Sequence, residues 1–167
     1  MISAIVYNSC TGSCKKYAEL LSARIHAPAM PLESAYVRDG GKIIYVSWIF
    51  AGKVCGLEKA ARRFNVAAVV QVGMGAVYDK SETVCREKNS IPRGAAVFCR
   101  QGGFNLNKLP LPFKLIMKLK CKEIAERLES KGQLNEQEQA TLTMASTGVG
   151  GPAHWDVDDI VDWASAE

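Results

Sequence analysis

The segment from Ser9 to Cys14 combines small residues with hydroxyl and thiol groups that could contact a ligand. It lies between an apolar, strand-like run and a helical pattern that starts at about Ser13. Unpaired backbone amides and the positive end of the helix dipole favour an anion at such a helix start. Gly12 permits a close turn, and the Thr11 hydroxyl adds a donor. The pattern therefore predicts a phosphate site, in preference to a simple turn with Ser13 as the helix N-cap.

The two thiols of this segment, Cys10 and Cys14, could instead indicate metal or redox chemistry. Their spacing is not a common zinc pattern, and no pair of histidines or cysteines completes a set of four ligands, so we predict no metal site. The nearby helix N-terminus could lower the pKa of either thiol. The six cysteines lack the density of a secreted disulfide scaffold, which predicts mostly reduced thiols in a cytoplasmic protein.

Alternating strand and helix patterns predict an α/β fold with a five-stranded parallel sheet and helices on both faces. Residues 1–167 fit a single domain, in which 132–152 could be a flexible segment. We expect neither a signal peptide nor a membrane span. The predicted strands are 2–7, a short one within 28–31, 42–47, 66–72 and 95–99; the predicted helices are 13–25, 55–64, 81–89, 111–128 and one after Asp156.

Ligands of such sheets bind beyond the carboxyl ends of the strands, where the strand order reverses. Three predicted loops, 8–14, 47–53 and 99–105, lie at those ends and are rich in small, hydroxyl or aromatic residues. They predict one shared site. Its candidate residues are Ser9, Cys10, Thr11, Gly12, Ser13 and Cys14 in the first loop; Ser47, Trp48, Ile49, Phe50, Ala51 and Gly52 in the second; and Arg100, Gln101, Gly102, Gly103 and Phe104 in the third.

The first loop and its setting resemble the flavodoxin family, which opens with a strand, then [Ser/Thr]-x-Thr-Gly-x-Thr, then a helix. Ser9, Thr11, Gly12 and Ser13 fit this motif, and Cys14 stands where the final threonine usually is. The resemblance implies a flavodoxin-like three-layer fold and a loop that holds the phosphate of FMN. Because a thiol is a weak hydrogen-bond donor, we expect weaker FMN binding than in the family.

The other two loops are similar to those of a flavodoxin-domain subgroup that includes the menaquinone-dependent protoporphyrinogen oxidases. In that subgroup a tyrosine often covers the flavin where Phe50 stands here. The resemblance implies an FMN-binding electron-transfer protein, with no side chain indicated as a catalytic acid or base. Two alternatives stay open: an FMN-dependent oxidoreductase of a carboxylated tetrapyrrole or quinone, and a cofactor-free interaction module. Basic Lys53 and Arg100 near the flavin predict a less strongly reducing cofactor than in acidic flavodoxins.

Charge is distributed unevenly, with 21 Lys and Arg against 10 Asp and Glu in residues 1–131, and seven acidic residues without any Lys or Arg in 132–167. This indicates an acidic redox protein or a carboxylated small molecule as partner, or internal pairing of the two regions. No nucleic-acid recognition motif is present. The basic amphipathic helix 111–128 could contact an anionic membrane. We favour the alternative in which its lysines face water and its apolar residues pack on the sheet: Leu115, Ile116, Leu119, Ile124 and Leu128.

Overall fold

The computed structural model describes residues 1–38 and 40–167. The strands are β1 (Ile2–Asn8), β2 (Ala29–Pro31), β3 (Lys42–Phe50), β4 (Lys53–Val54), β5 (Asn65–Gly73), β6 (Ala96–Gln101), β7 (Phe104–Asn105) and β8 (Val149–Gly150). The α-helices are α1 (Ser13–Ile25), α2 (Leu57–Arg63), α3 (Ser81–Lys88), α4 (Leu111–Glu129), α5 (Glu136–Thr147) and α6 (Asp158–Ala166). A 3-10 turn covers Leu106–Lys108.

The central sheet has the strand order β2-β1-β3-β5-β6, and its neighbouring strands are parallel. Val6 lies opposite Tyr45, and Val46 lies opposite Val70. Parallel neighbours need crossover connections, which the intervening helices supply. The near-continuous apolar runs of β3 and β5 reflect burial on both faces. The predicted flavodoxin-like three-layer fold is confirmed.

Helices cover the sheet from both sides. On one face α1 and α6 contribute Tyr17, Leu21 and Ile160 to a buried cluster with strand residues such as Val46 and Val70. On the other face α2 and α3 contribute Leu57, Ala60 and Cys85, which join strand residues such as Val6 and Tyr45. The two clusters are the hydrophobic core of the domain.

Helix α4 packs mainly against α5, with Cys121, Leu128 and Met144 buried between them or nearby. The prediction that its apolar residues pack on the sheet is wrong, because α4 packs mainly on α5, and three of the five, Leu115, Ile116 and Leu119, are 60%, 47% and 75% exposed. Ile124 and Leu128 do contribute to the interior. The physical reason is that α4 carries two apolar faces, and the sheet is already covered by α1, α6, α2 and α3.

The segment 132–152 contains α5, which the sequence pattern leaves unassigned. The helix starts with a capping box, in which Asn135 Oδ1 accepts from Glu138 N at 2.8 Å and Glu138 Oε2 accepts from Asn135 N at 3.1 Å. Glu138 is only 2% exposed and also binds Tyr78 Oη (2.9 Å) and Lys131. The Lys131 ammonium, followed by these other donors, lowers the pKa of Glu138 to about 2.

Basic residues of the body pair with acidic residues of the C-terminal region. Arg24 lies 3.0 Å from Asp158, Lys42 pairs with Glu167, and α6 also supplies a carboxylate to Arg100. These ion pairs neutralise part of the opposite charges of the two regions within the molecule. All six cysteines are free thiols. In the described parts of the chain, every helix is too short or too polar to cross a bilayer.

Candidate functional site

A cleft opens at the carboxyl ends of β1, β3, β5 and β6, where the strand order reverses. All three predicted loops contribute to its wall. The predicted residues that line it are Ser9, Cys10, Thr11, Ser13, Cys14, Trp48, Ile49, Phe50, Gly102, Gly103 and Phe104. The remaining predicted residues occupy nearby positions that are described below.

The first loop turns into α1 through Gly12, whose φ of 105° is a conformation that favours glycine. Ser13 is the first residue of the helix and Gly12 is the N-cap, which does not fit the alternative of a simple turn capped by Ser13. Its hydroxyl donates instead to the carbonyl of Gly103 in the third loop, at 3.0 Å. Ser9 Oγ accepts from Gly12 N at 3.2 Å. The hydroxyls therefore hold the loop together and bind it to its neighbour.

The backbone amides of the first loop are more available than its hydroxyls. Lys16 N donates to Gly12 O at 3.0 Å, which is the first helical hydrogen bond of α1. The amides of Thr11, Ser13 and Lys15 donate to no acceptor among residues 1–38 and 40–167. Such amides, together with the helix dipole, are the donors that bind phosphate at helix starts.

The thiols near the cleft are in their protonated form at neutral pH. Cys14 is 2% exposed, and its burial raises the pKa of the thiol. Burial also raises the pKa of Cys10, and that of Cys55 to about 11. Burial therefore acts against the possibility that the helix N-terminus lowers a thiol pKa here.

The second loop differs from its prediction. The region 48–53 is not an open loop: β3 continues to Phe50 and then turns back into the antiparallel β4. Ala51 and Gly52 form the two-residue turn with φ of 49° and 80°, and they lie outside the cleft. Ser47 is fully buried behind it and donates to Cys55 O at 2.6 Å. This hairpin fixes the position of Trp48 and Phe50.

An aromatic cluster closes part of the cleft. The ring centroids of Trp48 and Phe50 are 6.2 Å apart, and Phe113 from the first turn of α4 packs edge-on against both. The Phe113 centroid is 6.1 Å from that of Trp48 and 4.9 Å from that of Phe50. Edge-to-face pairs at these separations are favourable. Phe113 is therefore the residue that fills the space beside the second loop.

Close packing explains the two glycines of the third loop. A Cβ atom on Gly102 would lie 2.5 Å from a methyl carbon of Val72 and 3.1 Å from Ser13 Cβ. A Cβ on Gly103 would lie 2.9 Å from the carbonyl oxygen of Gly150. A larger residue at Gly102 would push the third loop away from β5 and Ser13, and one at Gly103 would push it away from β8.

The other two polar residues predicted for the third loop belong to β6 and point away from the cleft. Gln101 is 3% exposed and donates to Thr141 Oγ1 (3.0 Å) and Gln137 O (2.8 Å), which links β6 to α5. Arg100 donates to Asp156 O at 2.9 Å and pairs with Asp159 of α6. Both side chains position elements around the site without lining it.

Six lining residues are not predicted by the sequence pattern: Val72, Gly73, Met74, Leu109, Phe113 and Met117. Val72, Gly73 and Met74 line the cleft because β5 ends at the same edge of the sheet as β1 and β3. The last three lie in or just before α4. Nothing in their spacing distinguishes a cleft-lining face of that helix from a core face.

The cleft is neutral and small. None of the described residues that line it carries a charge. Its free volume is about 90 Å³, whereas small-molecule sites usually offer roughly 300–1,000 Å³. A sizeable ligand therefore requires movement of a side chain, and Phe113 is placed to make it.

No known family model matches the chain, and a search of curated proteins finds no similar sequence.

Proposed function

We propose that the protein binds FMN and passes electrons to or from a redox partner, as a flavodoxin-like electron-transfer protein. The observation that carries this proposal is the meeting of the three loops at one cleft, with amides at the first loop that donate to no described acceptor and with aromatic rings at the second. The resemblance of Ser9–Cys14 to the flavodoxin motif supports it.

The residues present fit the two ends of this cofactor. The amides of Thr11, Ser13 and Lys15 would hold the phosphate, since no described acceptor engages them. Trp48 and Phe50 would border the flavin ring and exclude water from it. When bound, the flavin supplies the redox chemistry, and the chain supplies binding and a dry, neutral environment.

The charges near the cleft determine how strongly reducing a bound flavin would be. Lys53 donates to the carbonyl of Lys88, and Arg100 pairs with Asp159, so neither cation lines the cleft. The prediction that these two charges make the flavin less strongly reducing is therefore not supported by their positions. A neutral apolar lining instead disfavours the anionic reduced cofactor relative to water, which favours a strongly reducing flavin.

A second candidate is a flavodoxin-fold interaction module without a cofactor. Two observations favour it: the cleft has only about 90 Å³ of free volume, and Phe113 packs into it. The third possibility is an oxidoreductase of carboxylated tetrapyrroles or quinones, which would bind the carboxylates through Arg100, Lys53 or the lysines of α4. Arg100 and Lys53 are engaged elsewhere, so this alternative depends on the lysines of α4.

Titration of the purified protein with FMN, followed by flavin fluorescence, tests the proposal, with riboflavin as the control that lacks the phosphate. Saturable binding of FMN that is tighter than that of riboflavin supports a phosphate site. Absence of binding by either flavin supports the interaction module.

A pair of matched variants locates the phosphate. Thr11→Asp and Thr11→Asn have the same shape and differ in charge. A carboxylate about 4 Å from a phosphate charge costs at least about 1 kcal/mol, so Thr11→Asp should weaken FMN binding at least about fivefold relative to Thr11→Asn. Riboflavin binding should be the same in both. Equal FMN affinity in the two variants would place the phosphate elsewhere.

A further inference from the structure

The outer surface of α4 exposes an unusual number of apolar side chains. Leu111, Leu115, Ile116 and Leu119 are 71%, 60%, 47% and 75% exposed. They make up four of the nine strongly exposed large hydrophobic residues in the described chain. A contiguous apolar patch on a folded surface commonly marks a site of protein or membrane contact.

The helix geometry gathers these residues on one side. At about 100° per residue, Leu111, Leu115 and Leu119 fall within about 80° of each other around the axis. The opposite side of the helix carries Met117 and Cys121, which face the cleft and α5. The inner face thus fixes the helix to the protein, and the outer apolar face has no partner among residues 1–38 and 40–167.

Lysines flank this apolar face on both sides. Lys114, Lys118 and Lys122 follow one edge at intervals of four residues, and Lys120 lies near the other edge. No Asp or Glu occurs from residue 88 to residue 122. Two of the lysines pair with carboxylates of the same helix: Lys120 lies 2.8 Å from Glu123, and Lys122 lies 3.9 Å from Glu126. Exposed pairs of this kind are weak, so the lysines remain available to an external anionic surface.

We propose that the outer face of α4 docks on an anionic membrane surface, with Leu111, Leu115, Ile116 and Leu119 entering the headgroup boundary and the lysines meeting lipid phosphates. The outer face of α4 carries exposed aliphatic side chains between two rows of lysines, and such a surface suits the boundary of an anionic bilayer. An acidic protein partner would satisfy the lysines, but ion pairing alone gives no role to four protruding aliphatic side chains.

Sedimentation with vesicles tests the proposal. The full chain is mixed with phosphatidylcholine vesicles that contain or lack phosphatidylglycerol, at low and at high salt. We expect binding to the anionic vesicles, little binding to the neutral ones, and a loss of binding as salt rises. Equal recovery in the supernatant with and without phosphatidylglycerol would overturn the proposal.

Matched variants separate the face from the rest of the surface. Leu115→Gln combined with Leu119→Gln should abolish vesicle binding, whereas Val84→Gln, at an exposed apolar position of α3, should not change it. Lys118→Gln should lower the partition coefficient about fivefold, whereas Lys80→Gln on another surface should leave it unchanged. Circular dichroism of each variant verifies that it is folded.

Other occupants of this face give different results. If the face binds a second copy of the chain, the wild type is a dimer that does not sediment with vesicles. The double variant Leu115→Gln with Leu119→Gln is then a monomer. If it binds an acidic protein, capture by that partner depends on Lys118 and no vesicle binding is seen. Either result would refute membrane docking. Because none of these readouts involves a flavin, they are independent of the proposed FMN binding.

Discussion

Replacing Phe113 with alanine should open the cleft and increase the affinity for FMN. Phe113 occupies the space beside Trp48 and Phe50, and the free volume that remains is about 90 Å³. A flavin ring that enters beside these residues must displace the Phe113 ring. The energy of the closed cluster therefore opposes binding in the wild type.

The size of this penalty follows from the contacts. Phe113 makes two edge-to-face pairs, with centroid separations of 6.1 and 4.9 Å. Each such pair contributes about 0.5–1.5 kcal/mol, so opening the cluster costs about 1–3 kcal/mol. In Phe113→Ala this cost is absent, and the dissociation constant for FMN should fall by about 5- to 150-fold.

Fluorescence titration of the wild type and Phe113→Ala with FMN measures this difference. Leu111→Ala, in the same turn of α4 but 71% exposed and outside the cleft, is the control and should bind FMN as the wild type does. Weaker FMN binding by Phe113→Ala, with Leu111→Ala unchanged, would refute the reasoning, because the ring would then be a contact of the bound flavin.

Three further predictions concern the elements around the cleft. Gly102→Ala should destabilise the fold by about 1–3 kcal/mol in urea unfolding, because its Cβ would lie 2.5 Å from a valine methyl of β5; Gly75→Ala, with open space around it, should not. Tyr17→Phe should lower the free energy of unfolding in urea by about 1–3 kcal/mol, because the hydroxyl donates at 2.7 Å to a buried carbonyl of β6. Tyr36→Phe, at an exposed position, should leave it unchanged. Glu138→Gln should destabilise the protein at neutral pH. Because folding lowers the pKa of this carboxyl from 4.5 to about 2, the difference from the wild type should shrink as pH falls through that window, and a constant difference would contradict the assignment.

The sheet was predictable because its strands are long apolar runs that can only be buried. Residues such as Ile44, Val46 and Val70 leave no polar face for water, and their alternation with helices selects a parallel order. The common edge of the sheet then brings distant loops together. Most of the candidate site followed from this one topological argument.

The details that escaped prediction depend on tertiary contacts. The turn at Ala51–Gly52 lacks the Asn-Gly or Asp-Gly signal of a tight hairpin, so the continuation of β3 is not visible in the sequence. The direction of Arg100 depends on the carboxylate of Asp159, which lies far along the chain. For α4, both faces are apolar, and only the position of α5 decides which is buried. Helix α5 is the exception, because its capping box and Gly148, where φ is 75°, are local signals that the expectation of a flexible segment at 132–152 overlooked.

The place of α6 in the chain has a consequence for the order in which the molecule is completed during synthesis. Ile160 and Ala164 of this helix belong to the cluster that contains Leu21 and Val46, and Trp163 packs on Phe98 with ring centroids 5.8 Å apart. A nascent chain that lacks α6 has α1 alone on this face, and the part of the sheet that α6 covers stays in contact with water, a state that is prone to aggregation. The wall of the cleft is encoded earlier, since it ends at Met117. The ribosome therefore synthesises the residues of the cleft before it synthesises the helix that completes the core.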